Sequence, residues 1–340
     1  MTGQSFGWAR SFSGDWGWIG VRLVVMNETL ADVGEFALIE RVTRGLVRGP
    51  QVGLGPGDDA AALSVDGSAV VSVDVMNEGV HFRTDWVSGG DLGHRCVGGA
   101  VADIEAMGVV PTAVLIALTA PKTTELAWLD KFMAGVVEEC EAAQVSLVGG
   151  DMASGPAISV AVTALGQTGG RALLRRNGAR PGDAVAYKGR LGWAAAGWAV
   201  LSRGFRSPRA VVNAYQRPQI PYGAGVEANR HQATALTDVS DGLVADLGHI
   251  AAASSVVIDI DSGTLDVPEP MQAVAHATGR DPLEFVLSGG EDHALVGTFP
   301  FGQVPQTWTV IGRVHPLEGR DPAILVNGTE WLGPRGWTHF

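Results

Sequence analysis

Gly53-Leu54-Gly55-Pro56-Gly57-Asp58-Asp59 is a glycine-rich turn that delivers two adjacent carboxylates. Working outward from it, single aspartates recur after apolar runs at Asp74, Asp103, Asp151, Asp238 and Asp241. Acids on strand ends and glycine turns can face a cleft, and the glycines let phosphate oxygens approach backbone N–H groups. Carboxylates spread over several loops suit hard cations such as magnesium, which share them with polyphosphate oxygens. Taken one at a time, each acid also reads as a turn residue that caps its own backbone, Asp59 above all. Asp103 resists that reading. It sits among Ala, Val, Ile and Met on a helical stretch, where an unpaired carboxylate is costly and either a metal or an arginine would satisfy it.

The surrounding pattern alternates strands and helices. Helical spacing covers 33–48, 91–107, 124–143, 192–203, 207–215 and 243–253. Apolar runs at 69–75, 112–119, 145–148, 157–166, 183–188, 233–239, 256–260, 294–299 and 308–314 read as strands. Consecutive strands break any clean βαβ repeat, so the fold class is α+β with mixed sheets. Gly169-Gly170-Arg171 marks a boundary, giving an extension at 1–30, an N-terminal domain at 31–168 and a C-terminal domain at 169–340.

The chain has 340 residues, 46% of them hydrophobic, enough for two cored domains. A net charge of −12 argues against a nucleic-acid surface. Two cysteines, Cys96 and Cys140, make no disulfide framework. They fit a reducing cytoplasm and read as core residues. No apolar run is long enough to span a membrane. Residues 1–25 hold Trp8, Trp16 and Trp18 without helical patterning, and read as a non-native start or a disordered extension. Phosphate-loop, dinucleotide, protein-kinase, zinc and serine-elbow signatures are all absent.

The ordered series Gly34-Glu35-Phe36, Gly57-Asp58-Asp59-Ala60, Glu78-Gly79-Val80-His81-Phe82, Asp103-Ile104-Glu105-Ala106-Met107-Gly108, Gly149-Gly150-Asp151, Arg176-Asn177-Gly178, Asp238-Val239-Ser240-Asp241-Gly242, Ser288-Gly289-Gly290-Glu291-Asp292 and Gly336-Trp337 resembles the thiamine-monophosphate kinases of the aminoimidazole-ribonucleotide-synthetase-like superfamily. The resemblance implies ATP-dependent conversion of thiamine monophosphate to thiamine diphosphate, several magnesium ions, and a homodimer joined through the N-terminal sheets. It implies metal ligation by Asp58, Ser72 with the adjoining Val73, Asp74, Asp103, Asp151, Asp238 and Asp241. It implies ATP contacts from Gly150, Asp151, Arg176 and Ser240, and acceptor contacts from His81, Glu291 and Trp337, with no acid–base or covalent catalytic residue.

On the residues alone, Trp337 reads as a stacking group or a core plug, and Glu291 as an aminopyrimidine partner or a turn acid. His81 reads as a substrate contact or a buried histidine, and Arg176 as a phosphate ligand or a surface ion pair. The chain departs from the pattern at Ala100, Ala102, Met152 and His293. A related synthetase, and a non-catalytic binder of nucleotide or thiamine phosphate, are the competing readings.

Overall fold

The computed structural model describes residues 28–334 and residue 336. The expectations for residues 1–25 and for Trp337 lie outside the described residues.

The first half runs α1 (Leu30–Val33), α2 (Glu35–Thr43), β1 (Val52–Leu54), β2 (Ala62–Leu63), β3 (Ala69–Asn77), α3 (Gly89–Ala106), β4 (Val110–Ala120), α4 (Leu126–Ala143), β5 (Ser146–Ser154) and β6 (Ser159–Gln167). Four of these strands form a sheet in the order β3-β6-β4-β5. Only β4 and β5 pair in parallel, because α4 carries the chain back between them. The side chains of β6 alternate strictly, with Val160, Val162 and Ala164 fully buried beneath the helices. On β3 the opposite face is open, leaving Val71, Val73 and Val75 exposed by 59%, 62% and 42%.

The second half runs β7 (Ala184–Lys188), α5 (Trp193–Leu201), α6 (Arg209–Gln216), α7 (Ala224–Arg230), β8 (Ala235–Val239), α8 (Leu243–Ser254), β9 (Val257–Ile260), α9 (Glu269–Thr278), α10 (Pro282–Ser288), β10 (Ala294–Phe299), β11 (Thr309–His315), β12 (Ala323–Val326) and β13 (Thr329–Glu330). Its sheet order is β13-β12-β9-β11-β7-β10-β8, antiparallel except at β12–β9. The two sheets and their helices make the expected mixed α/β fold.

Helix α3 joins the halves. Ser88 caps it, its Oγ accepting the Asp91 N–H at 3.2 Å while Asp91 accepts the Ser88 N–H at 3.1 Å. Fifteen of its 18 residues are buried, too many for a helix with one covered face. One side packs on α4 so closely that a Cβ at Gly135 would lie 2.0 Å from the Gly90 carbonyl oxygen. The other side meets the second half. Glu105 accepts the Gly223 N–H at 2.8 Å and the Gly225 N–H at 2.9 Å, fixing the start of α7.

Some boundaries differ from the sequence expectation. The 33–48 helix is broken at Gly34 (φ +81°) and stops at Thr43. The strand expected at 145–148 continues through the glycines to Ser154, because β4 supplies hydrogen-bonding partners along that whole length. Both cysteines are buried, as expected, and burial pushes both thiols well up from their usual range.

Candidate active site

The acids meet where β3, α3 and the β8–β10 pair converge. Ser72 and Asp74 stand on the inner face of β3. The Ser72 hydroxyl donates to Asp103 Oδ2 across to α3 at 2.6 Å. Gly99 lies one turn before Asp103. A Cβ there would sit 3.2 Å from both Asp74 Oδ2 and His293 Nε2, so the missing side chain leaves room for those groups to approach. From the second half, Asp238 is the penultimate residue of β8, and its Oδ2 lies 3.3 Å from His293 Nδ1.

The charges strain against one another. Burial, then Asp238, pushes Asp103 up to about 6, against the Ser72 hydrogen bond that favours its ionised form. Burial alone would lower the pKa of His293. Asp238, followed by Glu291 and Asp74, overrides it and holds the imidazole at about 9. Several partly desolvated carboxylates around one space are what a bound cation would relieve.

Ser240, Asp241 and Gly242 form the turn into α8. Asp246 Oδ2 accepts the N–H groups of Asp241 and Gly242 at 3.1 and 3.0 Å, and burial pushes this acid up to about 7. Among the described residues, Asp241, Asp246 and His249 are the only trio of possible metal-binding side chains whose ligand atoms lie within 4.8 Å of one another. The ligand atoms of Asp74, Asp103 and Asp238 do not all come within that distance of one another.

Glu291 has φ +69° and His293 +51°, both in the left-handed region that costs a non-glycine residue of order 1 kcal/mol. The Ser240 carbonyl accepts the Glu291 N–H at 2.8 Å and the Val239 carbonyl accepts the His293 N–H at 3.0 Å, which holds the strained segment. The Glu291 carboxylate accepts Arg95 Nη2 at 2.7 Å. Arg95 reaches it from α3, is 2% exposed, also donates to the Tyr215 carbonyl at 2.9 Å, and stacks 4.4 Å over the Tyr215 ring.

Three cavities run through this region in file. One of about 510 Å³ is lined by Ser72, Asp103, Arg175, Arg176, Asp238 and the apolar Ile104, Met107 and Leu236. The next, about 420 Å³, shares Asp103 and Asp238 and adds Asp74, His81, Ser240, Asp241, Glu291 and His293. The third, about 280 Å³, shares His81, Ser240 and Glu291 and is walled by Ala194, Ala195, Trp198 and Tyr215. His81 Nδ1 accepts the Asn77 N–H at 2.9 Å, which fixes its ring between the second and third cavities.

The fold therefore brings together Ser72, Asp74, His81, Asp103, Arg176, Asp238, Ser240, Asp241 and Glu291. It does not bring in Asp58, which is exposed on its loop and accepts the Asp59 N–H at 2.9 Å, the local turn role expected of Asp59. Asp151 and Gly150 lie on β5, at the sheet edge away from β3. Three strand spacings, roughly 14 Å, separate them from Asp74. Val73 turns its side chain to the open face and has only backbone oxygen to offer.

Arg95 and Asp246 went unnoticed in the sequence. Arg95 is a lone cation in an apolar, glycine-rich helix, the same signal that singled out Asp103. The Asp246 cap carries no signal separate from helix-start acidity. Of the departures from the family pattern, Ala100 and Ala102 are fully buried packing residues. His293 is the substantial one, since it sits among the acids.

Residues 57–168 match the AIR synthase related protein N-terminal domain, and residues 180–298 match the C-terminal domain of the same description. The chain is similar to thiamine-monophosphate kinase of Mycobacterium tuberculosis, 44% identical over 321 residues, which covers 94% of this chain and 95% of the relative. The enzyme of the same name from Corynebacterium glutamicum is 37% identical over 322 residues, covering 92% and 95%. Among solved structures, AaThiL complexed with AMPPCP and TMP superposes with a TM-score of 0.73 at 31% identity, covering 91% of this chain and 98% of that one. With two domains matched in order and relatives aligned almost end to end, the chain belongs to the thiamine-monophosphate kinase family of AIR synthase related proteins.

Proposed function

We propose that this chain phosphorylates thiamine monophosphate with ATP, yielding thiamine diphosphate and ADP. The file of three cavities carries the reading. A donor site, a band of carboxylates and an acceptor site that adjoin in succession are the arrangement direct phosphoryl transfer needs. The 510 Å³ cavity offers apolar walls for a base and Arg175 and Arg176 for phosphates. The 280 Å³ cavity offers aromatic walls, with His81 and Glu291 at its inner end.

Asp74, Asp103, Asp238 and Asp241 fit magnesium by donor type, all being oxygen ligands around one cavity, and Ser72 adds an oxygen from the adjoining cavity beside Asp103. When bound there, magnesium would offset repulsion between the anionic donor and acceptor. The chain's own residues do the rest. Arg176 holds donor phosphate, and Ser240 fixes the turn between the two ends. Glu291, oriented by Arg95, accepts a hydrogen bond from the acceptor's amine. The acceptor is a phosphate monoester, largely ionised near neutral pH, so the residues need supply no strong base, and transfer is in line without a covalent enzyme intermediate.

The protein acts as a homodimer in the cytoplasm. The three exposed valines of β3 make an unfinished apolar face, and Asp151 and Gly150 stand too far from Asp74 to serve the same site alone. Packing two copies through this face would cover the valines and bring the partner's Asp151 toward the β3 edge. Among the described residues no helix is long and apolar enough to cross a membrane.

The test is purified protein with ATP, magnesium and thiamine monophosphate, followed by chromatography. Thiamine diphosphate that depends on all three supports the kinase. ATP binding without product favours the non-catalytic or synthetase readings.

A further inference from the structure

We infer that Trp198 is a specificity-determining residue, the surface on which the acceptor's flat cationic ring stacks. Helix α5 is apolar on every side, and Trp198 is its one exposed residue, 44% accessible. The indole lines the 280 Å³ cavity. Ala194 and Ala195, four and three residues earlier, share its helix face and line the same space. Their short side chains leave width beside the indole for a second flat ring.

Tyr215, the other aromatic of this cavity, already has Arg95 over its ring and Trp86 edge-on at 6.3 Å. Among the described residues the Trp198 ring has no aromatic or cationic partner. The helix that carries it is pinned. Asp292, 2% exposed, accepts the Ala194 N–H at 2.9 Å and is the immediate neighbour of Glu291. The indole and the Glu291 carboxylate are thus held at fixed places on the wall of one cavity, one for a ring face and one for a hydrogen-bonding edge. Indole is the strongest of the aromatic side chains at attracting a cation to its face. A thiazolium tethered to an aminopyrimidine matches that pair, with its phosphate arm directed to the acids through the shared boundary at His81 and Ser240.

This inference rests on the kinase reading, and the experiment separates the two. Steady-state kinetics are run on the wild type, Trp198→Ala and Trp198→Phe with each substrate varied. Calorimetric binding of thiamine monophosphate is measured alongside. The expected result is a KM for thiamine monophosphate raised roughly 3- to 30-fold in Trp198→Ala, the range of a stacked cation. Its kcat and KM for ATP stay within about two-fold, and Trp198→Phe recovers most of the loss. An active wild type with an unchanged acceptor KM in Trp198→Ala overturns the inference while the kinase reading stands. An equal rise in both KM values with a lowered melting temperature also overturns it, because that marks a packing role. An inactive wild type defeats the kinase reading. Binding then decides: weaker thiamine monophosphate binding by Trp198→Ala upholds the stacking surface, and equal or absent binding removes it.

Discussion

Replacing Arg95 with methionine tests whether the acceptor end is held from α3. Methionine keeps much of the volume and the apolar surroundings, so little cavity cost enters. What is lost is a charged hydrogen bond to Glu291, a bond to the Tyr215 carbonyl and a cation stacked on Tyr215. Breaking a fully buried ion pair costs about 3–5 kcal/mol. Here the Glu291 side chain is 39% exposed and can take up water, so the ionic part must be discounted. About 2–3 kcal/mol remains once the carbonyl and ring contacts are included. Urea unfolding should show that loss, with a melting temperature lowered by roughly 3–5 °C. Glu291, freed from its orienting partner, should raise the KM for thiamine monophosphate about ten-fold, while the KM for ATP stays nearly fixed. Arg95→Lys should rescue little, since one ammonium cannot span both oxygen partners. A methionine variant within about 0.5 kcal/mol of the parent, with unchanged acceptor KM, would refute the reasoning.

Other outcomes follow from the same geometry. Asp103→Asn removes a desolvated charge facing Asp238 and Asp74. It should raise the melting temperature in chelator yet cut magnesium-dependent kcat about 100-fold; a destabilised, active variant would contradict the site. Gly99→Ala presses a methyl to 3.2 Å from Asp74 and His293, and turnover should fall more than the melting temperature does. His94 is held above its usual 6.5 by Glu139 against burial, with Glu138 helping and Arg217 opposing. Its contribution is complete below pH 6.5 and is lost as pH rises through the raised value. The stability of His94→Gln, followed by urea titration, should therefore decline less over that window. Val73→Asp on the open sheet face should yield monomers by sedimentation and reduce activity; an active monomer would remove the dimer from the mechanism.

Much of this was written in local pattern. The apolar runs, several of them ending in aspartate, sufficed to place strands and to nominate the acids. The same patterns could not say which acids converge. Asp151 follows an apolar run just as Asp74 and Asp238 do, and Asp58 sits on a glycine turn that reads equally well as a ligand loop. Only the strand order β3-β6-β4-β5 sets Asp151 at the far edge, and that order is a long-range property of pairing. Arg95 was visible as a residue but not as a partner, because Glu291 lies nearly 200 positions away in the chain. The left-handed backbone at Glu291 and His293 was hidden for a different reason. Neither is glycine, and tertiary hydrogen bonds impose the conformation.

The burial of α3 on both sides bears on how the molecule comes apart. A helix walled by two sheets' worth of neighbours belongs to neither half. Buried side chains from both halves accordingly form one continuous apolar cluster. Severing the chain at Gly170 would leave the N-terminal fragment with Arg95 and Glu105 facing water along a naked helix. The C-terminal fragment would have no template against which to set Glu291 or the start of α7. Calorimetry of the intact chain should accordingly trace one melting transition where the domain boundaries alone would suggest two.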